Sequence, residues 1–259
     1  VIAANQAATF QIGDRVAGKV NWGGFAEYAV MRNDLAIRIP QSLSTTAAAA
    51  VPVSYTTAMV ALTESTKVSD GNTVLVLAAA GGIGLAAVQI ARALGARVMA
   101  AAGNLERAQF ACTHGATAAI DYSRPNWSDD VKSASDGHGA DIIVDPVGGD
   151  ATREALRALA WEGRLLVVGF SSGEIPAIPA NRLLLRRASA IGIYWNHDRD
   201  AEMLARVTRR LIDLLEAGTV TPHIGDTFAF SQLPQALTTL AERRATGKVV
   251  LTFTEEDRA

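Results

Sequence analysis

A glycine-rich turn between an apolar run and an alanine-rich segment is the part of the chain best suited to chemistry. The apolar run 73–77 reads Thr-Val-Leu-Val-Leu, and helix-favouring residues follow the turn from position 85. A strand that turns through glycines into a helix points the unpaired N–H groups of that helix at an anion such as a pyrophosphate. The sequence therefore predicts a dinucleotide site here. The turn consists of Gly81, Gly82, Ile83 and Gly84.

The residues of this turn have separate expected roles. Gly81 is expected to allow the tight turn, and Gly84 to let the helix pack against the strand. Gly82 and Ile83 are expected to keep the backbone close to the ligand. Ala79 occupies the position of the first glycine in the usual G-x-G-x-x-G pattern. A structural turn without a ligand is the alternative.

The residues about twenty positions beyond the turn bear on which dinucleotide is bound, because an acid there commonly holds the ribose 2′-hydroxyl. Gly103 stands at that point instead of an acid, and Arg107 follows one helical turn later. A guanidinium in that position can bind a 2′-phosphate through two hydrogen bonds. The sequence therefore favours NADPH over NADH, with a solvent-exposed helix arginine as the alternative interpretation of Arg107.

Strands and helices alternate from position 73 onward, which is typical of a doubly wound parallel sheet with helices on both faces. The strands read as continuous apolar runs, as in sheets that are buried on both faces. The predicted strands are 73–77, 97–101, 118–121, 141–145, 164–168 and 190–194. The predicted helices are 84–94, 105–114, 126–133, 151–159 and 201–217.

Two further loops follow strands of this predicted sheet, at 145–149 and 168–173. Ligands of open α/β sheets lie outside the carboxyl ends of the strands, so both loops are expected at the cofactor crevice. Ordinary turn chemistry is the alternative. The expected cofactor-binding residues of these loops are Asp145, Val147, Gly169, Phe170 and Ser171.

The two ends of the chain differ in pattern from the middle. Residues 23–30 alternate like an antiparallel strand, and 247–253 is again strand-like. The stretch Ser44-Thr45-Thr46 is a candidate N-cap for a helix that starts at 47–50. We therefore expect a β-rich substrate lobe built from both ends. Its expected parts are residues 1–55 and 195–259, with a dinucleotide-binding domain over 56–194 inserted between them.

Composition excludes several classes of function. The formal net charge of −2 over 259 residues gives no electrostatic case for nucleic acid or an anionic membrane. Cys112 is the only cysteine, and the four histidines show no ligand spacing, so no metal site is predicted. No apolar window reaches the length of a membrane span, and a cytoplasmic protein is expected.

Several separated motifs resemble the medium-chain dehydrogenase/reductase superfamily, and within it the zinc-independent, zeta-crystallin-like NADPH:quinone oxidoreductases. This resemblance implies a Rossmann-type sheet inserted in a GroES-like β-barrel lobe. It also implies that the chain, which begins at Val1, lacks several dozen upstream residues of that lobe. The motifs are Gly-Asp-Arg-Val at 13–16, Gly-Phe-Ala-Glu-Tyr at 24–28, Ala-Ala-Ala-Gly-Gly-Ile-Gly at 78–84, Asp-Pro-Val-Gly-Gly at 145–149 and Arg-Ala-Thr-Gly-Lys-Val-Val-Leu at 244–251.

The resemblance also implies roles for particular residues. Arg107 and Tyr122 would flank the 2′-phosphate, while Phe170 and Ser171 would border the adenosine and ribose. Val53 stands where the zinc enzymes of the superfamily carry a cysteine ligand, and valine cannot bind zinc. The residues expected near the nicotinamide end, or reaching back to the cofactor, are Thr57, Tyr194, Trp195 and Arg244.

The expected reaction is hydride transfer from NADPH to a small-molecule quinone or another electron-poor enone. The cofactor carries this chemistry, so no catalytic acid is named. Two alternatives stay open: an enoyl-thioester reductase of the same superfamily, and a cofactor-binding protein with little turnover. The resemblance further implies a homodimer, for which the strand 190–194 offers an edge.

Overall fold

The computed structural model describes residues 1–4 and 9–253, and the chain divides into two compact units. One unit combines Val1–Thr56 with Asn196–Ala259, and the other is Thr57–Trp195. The chain therefore leaves the first unit once, builds the second without interruption, and returns.

The first unit begins with a short antiparallel pair of strands. Strand β1 (Val16–Gly18) pairs with β2 (Ala36–Arg38), with Val16 opposite Arg38. The strand predicted over 23–30 is wrong, since these residues form bends, and Val30 is 97% exposed. Alternating side chains provide a face, but a strand also needs a hydrogen-bonded neighbour. Among the described residues, none pairs with this segment.

A helical segment follows β2 and is longer than predicted. Helix α1 (Thr45–Ala49) is capped by Ser44, the first of the three candidate N-cap residues, whose hydroxyl accepts a hydrogen bond from the Ala47 N–H at 3.1 Å. The helix therefore starts two residues before the predicted position 47. Helical turns continue through Val51–Tyr55, α2 (Thr56–Met59) and Val60–Ser65. Most of these residues are buried on every side, so the segment lacks the apolar–polar period by which a helix is recognised.

The second unit contains a six-stranded parallel sheet with strand order β5-β4-β3-β6-β7-β8. This confirms the predicted doubly wound α/β fold. The strands are β3 (Thr73–Val76), β4 (Arg97–Ala102), β5 (Ala118–Asp121), β6 (Ala140–Asp145), β7 (Leu159–Val167) and β8 (Ser189–Gly192). The helices are α3 (Gly82–Ala93), α4 (Leu105–Cys112), α5 (Trp127–Ala134), α6 (Gly149–Ala155) and α7 (Ala180–Leu184).

The strand order reverses between β3 and β6. The chain runs outward from β3 to β5 and then returns to place β6 directly beside β3. Connections on opposite sides of such a point leave a crevice outside the carboxyl ends of the two strands, where ligands of open α/β sheets bind. We call this feature the switch-point crevice.

The returning part of the first unit adds two helices and a second pair of strands. Helix α8 (His197–Glu216) buries a stripe of leucine and valine side chains. Strand β9 (Ile224–Ala229), helix α9 (Leu233–Ala241) and strand β10 (Lys248–Thr252) follow, and β9 and β10 are parallel. Within the described residues, no helix has both the length and the apolar character needed to cross a membrane.

Candidate nucleotide site

The turn after β3 is held by backbone hydrogen bonds to both neighbouring strands. The Leu77 N–H donates to the Val144 carbonyl, and the Ala79 N–H donates to the Ala101 carbonyl, each at 3.0 Å. The Gly81 N–H donates to the Ala78 carbonyl at 2.8 Å and closes the turn. The turn therefore has one conformation relative to β4 and β6, on either side of β3.

The left-handed residue of this turn is an alanine. Ala78 has a φ of +47°, whereas Gly81 has a φ of −85°, which any residue can adopt. The expectation that Gly81 supplies the conformational freedom of the turn is therefore wrong. Gly84 is the constrained position: a β-carbon on it would lie 2.1 Å from the Ala78 carbonyl oxygen.

Helix α3 starts directly from this turn at the carboxyl end of β3. Gly81 is its N-cap, and the Leu85 N–H is bonded to the Gly81 carbonyl at 2.8 Å. The N–H groups of Gly82, Ile83 and Gly84 precede that bond and have no carbonyl partner within the helix. Three donors and the positive end of a helix dipole therefore meet at the switch-point crevice.

A second group of predicted residues meets at the ends of β4 and β5. The Tyr122 N–H donates to the Ala102 carbonyl at 2.9 Å, and an added β-carbon on Gly103 would lie 3.7 Å from Tyr122 Cε2. Asn104 caps α4 by accepting a hydrogen bond from the Arg107 N–H at 2.9 Å. The structure thus brings Gly103, Tyr122 and the backbone of Arg107 into one corner of the sheet edge.

The loop after β6 is organised by Asp145, which is 1% exposed. Its Oδ1 accepts hydrogen bonds from the N–H groups of Val147 at 2.8 Å and Gly148 at 3.0 Å, and its Oδ2 accepts one from the Thr152 hydroxyl. The carboxylate predicted to face the cofactor is engaged inside its own loop. Thr152 is a partner that the sequence interpretation missed, although it lies in a helix predicted to begin one residue before it.

The loop after β7 is bonded to the loop after β6. The Ser171 N–H donates to the Pro146 carbonyl at 3.0 Å, and the Gly169 N–H donates to the Asp145 carbonyl at 3.3 Å. Phe170 lies between these two anchored residues and is exposed. The structure therefore brings the predicted residues of both loops together.

Two predicted residues of the nicotinamide end are joined directly. The Trp195 indole Nε1–H donates to the Thr57 hydroxyl at 3.0 Å. Tyr194 precedes this tryptophan and is 78% exposed. The strand predicted to reach Tyr194 ends at Gly192, so Tyr194 and Trp195 follow the sheet rather than close it.

Arg244 lies in the other unit, in the segment before β10. Its Nε lies 2.7 Å from the Glu242 carboxylate. Its proposed reach toward the cofactor stays a prediction. Across the described ranges 1–4 and 9–253, no group of three or more histidine, cysteine or acidic side chains could hold a metal ion.

Comparison with known proteins agrees with this fold. Residues 82–213 match the family model described as zinc-binding dehydrogenase. The chain is 42% identical over 244 residues to a quinone oxidoreductase-like protein 2 homolog of Nematostella vectensis, a match that covers 92% of this chain and 67% of that protein. It is 32% identical to a quinone oxidoreductase of Pseudomonas aeruginosa, over 95% of this chain and 77% of that protein.

A solved quinone oxidoreductase from Thermus thermophilus, whose structure was also determined in complex with NADPH, has a TM-score of 0.83 and 33% identity, over 93% of this chain and 77% of that one. The resemblance inferred from the separated motifs is thus confirmed at the level of the family. The chain belongs to the zinc-binding dehydrogenase family, in the branch of the medium-chain dehydrogenase/reductase superfamily that contains the quinone oxidoreductases.

Proposed function

We propose that this oxidoreductase transfers hydride from NADPH to a quinone or another electron-poor enone, without a metal ion. The observation that carries the proposal is the start of helix α3 at the reversal of strand order between β3 and β6. A pyrophosphate at that point would receive hydrogen bonds from the N–H groups of Gly82, Ile83 and Gly84.

The corner formed by Gly103, Tyr122 and Arg107 supports NADPH rather than NADH. Gly103 has no side chain, and an added β-carbon there would be in van der Waals contact with Tyr122 Cε2 at 3.7 Å, so the glycine keeps this position beside Tyr122 free of a side chain. Strand β4 ends without an acid, and Arg107 lies in the first turn of α4. Asp121, which ends the neighbouring β5, accepts hydrogen bonds from the N–H and hydroxyl of Ser123. A guanidinium binds phosphate through paired, charge-assisted hydrogen bonds.

The remaining residues would orient the two reactants. NADPH, when bound, supplies the hydride, so the protein needs to hold the acceptor against the nicotinamide and to exclude water. The loops after β6 and β7 and the Trp195–Thr57 pair are the elements that we assign to this task.

Two features support a reaction without zinc. Val53 is an aliphatic residue that cannot bind zinc, and the resemblance aligns it with a cysteine ligand of the zinc enzymes of the superfamily. His138 Nε2 lies 2.7 Å from Asp141 Oδ1, and in the described part of the chain no group of three or more metal-binding side chains includes this pair.

The test is oxidation of NADPH by the purified protein with an ortho-quinone, a para-quinone and crotonyl thioester as separate acceptors. We expect turnover with a quinone above the protein-free rate, and no loss of that rate after treatment with a chelator. Turnover of crotonyl thioester alone would identify an enoyl-thioester reductase instead. Binding of NADPH without turnover of any acceptor would identify a cofactor-binding protein.

A further inference from the structure

We propose that Asp145 and Thr152 are positioning residues that lock the loop after β6 into the shape required to bind the nucleotide. The inference rests on the proposed function and deepens it, because it assigns to these two residues an indirect role. Neither side chain needs to touch the nucleotide for this role.

We call the three hydrogen bonds that the Asp145 carboxylate accepts the lock. The carboxylate is buried and accepts from three donors: two backbone N–H groups bond to Oδ1, and the Thr152 hydroxyl bonds to Oδ2. An ionised carboxylate only accepts, so it matches these three donors. Thr152 is 0% exposed, so loss of its hydroxyl would leave Oδ2 buried without this donor.

The lock extends to the neighbouring loop. Val147, whose N–H is held by Asp145, accepts a hydrogen bond from the Ser172 N–H at 2.9 Å. Gly149 donates to the Glu174 carbonyl at 3.0 Å, and an added β-carbon on Gly148 would lie 2.5 Å from the same carbonyl oxygen. A shift of the first loop would therefore displace the second. Phe170 and Ser171, which we propose to border the nucleotide, would move with it.

A matched control exists in the same domain. Ser128 is also 0% exposed, and its hydroxyl donates to Glu154 Oε1 at 2.6 Å. Glu154 belongs to α6, as Thr152 does, so the two hydrogen bonds have the same chemistry and share a helix. The Ser128 bond joins α5 to α6, whereas the Thr152 bond joins α6 to Asp145 at the end of β6, the residue that holds the following loop.

The experiment compares Thr152→Val, Thr152→Ser and Ser128→Ala in the otherwise intact protein. Melting temperature, the dissociation constant for NADPH and hydrogen–deuterium exchange of residues 145–149 and 169–174 are measured for each variant. We expect Thr152→Val and Ser128→Ala both to lower the melting temperature. Only Thr152→Val should weaken NADPH binding, by about 5- to 50-fold, and speed exchange in both loops. Thr152→Ser should restore both properties to within about twofold, because it keeps the hydroxyl.

Equal melting-temperature losses with unchanged NADPH binding in Thr152→Val would overturn the proposal and leave the pair with a structural role. Failure of the wild-type protein to bind NADPH would instead overturn the proposed function. Exchange would then still test the lock, because unaltered protection of both loops in Thr152→Val would refute it without any nucleotide.

Discussion

The carbonyl oxygen of Ala78 occupies the space that a side chain on Gly84 would need. An ideal β-carbon at position 84 would lie 2.1 Å from this oxygen and 2.8 Å from the Cα of Ala79. Both are backbone atoms of the turn that ends β3, so neither can rotate away as a flexible side chain would. The start of α3 can approach the strand this closely only because residue 84 is glycine.

Gly84→Ala should therefore force the helix away from the turn. We expect a loss of about 1–3 kcal/mol in the free energy of unfolding, the usual cost of overpacking a well-packed site. The control is Gly81→Ala in the same turn, where the added β-carbon would lie 3.3 Å from the same oxygen at an ordinary φ. Urea unfolding of both variants gives the comparison, and equal losses would contradict the special role of Gly84.

Arg107→Ala should weaken the binding of NADPH while leaving the binding of NADH nearly unchanged. We expect the variant to lose about 1.5–3 kcal/mol of NADPH binding, the range for hydrogen bonds to a charged group, while NADH binding stays nearly constant. Glu106→Ala is the control, since Glu106 is the adjacent residue on the same helix turn and is exposed. Titration calorimetry measures both cofactors, and parallel losses for NADPH and NADH would mean that Arg107 acts structurally.

His197 should make stability depend on pH near neutrality. Burial lowers the pKa of its imidazole below the usual 6.5, and the charges of Lys19 and Arg32 add to this, while Asp34 and Asp198 oppose it. Because the folded pKa lies below the unfolded one, the unfolded chain takes up the proton first as pH falls. The stability from the neutral imidazole is therefore complete above the unfolded pKa and is lost as pH drops through it toward the folded value.

The His197→Gln variant lacks this titration, so comparing it with the wild type isolates the contribution of His197 to stability. The difference in unfolding free energy between wild type and variant should be constant above about pH 7.5 and should turn against the wild type from about pH 6.5 downward. Urea unfolding at a series of pH values measures this difference. A difference that stays flat across the whole range would contradict the burial-lowered pKa.

The outer edge of β8 should carry a homodimer, as the family resemblance implies. The Ile193 N–H points to β7, where it bonds the Val167 carbonyl at 2.9 Å. Since backbone N–H groups alternate along a strand, the Ala190 N–H points away from β7 toward the open edge. Ala190→Pro removes that donor while sparing the bonds to β7, and proline is tolerated on such edges.

Sedimentation velocity should therefore find a dimeric wild type and a monomeric Ala190→Pro variant. Ala190→Ser keeps the N–H and should stay dimeric, which controls for the change of side chain. A wild-type monomer, or a dimer that persists with proline at 190, would place any self-association elsewhere.

The sheet could be predicted from the sequence because its central strands β3, β4 and β6 are buried on both faces. Val74, Leu75 and Val76 are all fully buried in β3, and such strands must be apolar without interruption. The start of β7 was harder to predict from the sequence. This strand begins at Leu159 rather than at the predicted 164, because Glu162, at a φ of +56°, interrupts its apolar run.

The structures of two other segments could not be predicted from the sequence, for opposite reasons. Residues 23–30 have the alternation of a strand, but pairing depends on a neighbour that no local pattern specifies. The helical turns from Val51 to Ser65 have their neighbours on every side, which removes the amphipathic period.

Some features of the candidate site could likewise be predicted from the sequence, and others could not. The residue types alone determined that a glycine turn leads from a buried strand into a helix and that no acid stands at Gly103, because both are local properties of the chain. The sequence also predicted that Gly84 lets the helix pack against the strand, which the structure confirms. Only the tertiary structure decided which backbone atom excludes a side chain at Gly84 and that Asp145 holds a loop. The first depends on the position of the Ala78 carbonyl after the turn closes, and the second on α6 bringing the Thr152 hydroxyl beside a buried carboxylate. Spacing along the chain specifies neither, since both are close contacts between atoms that folding brings together.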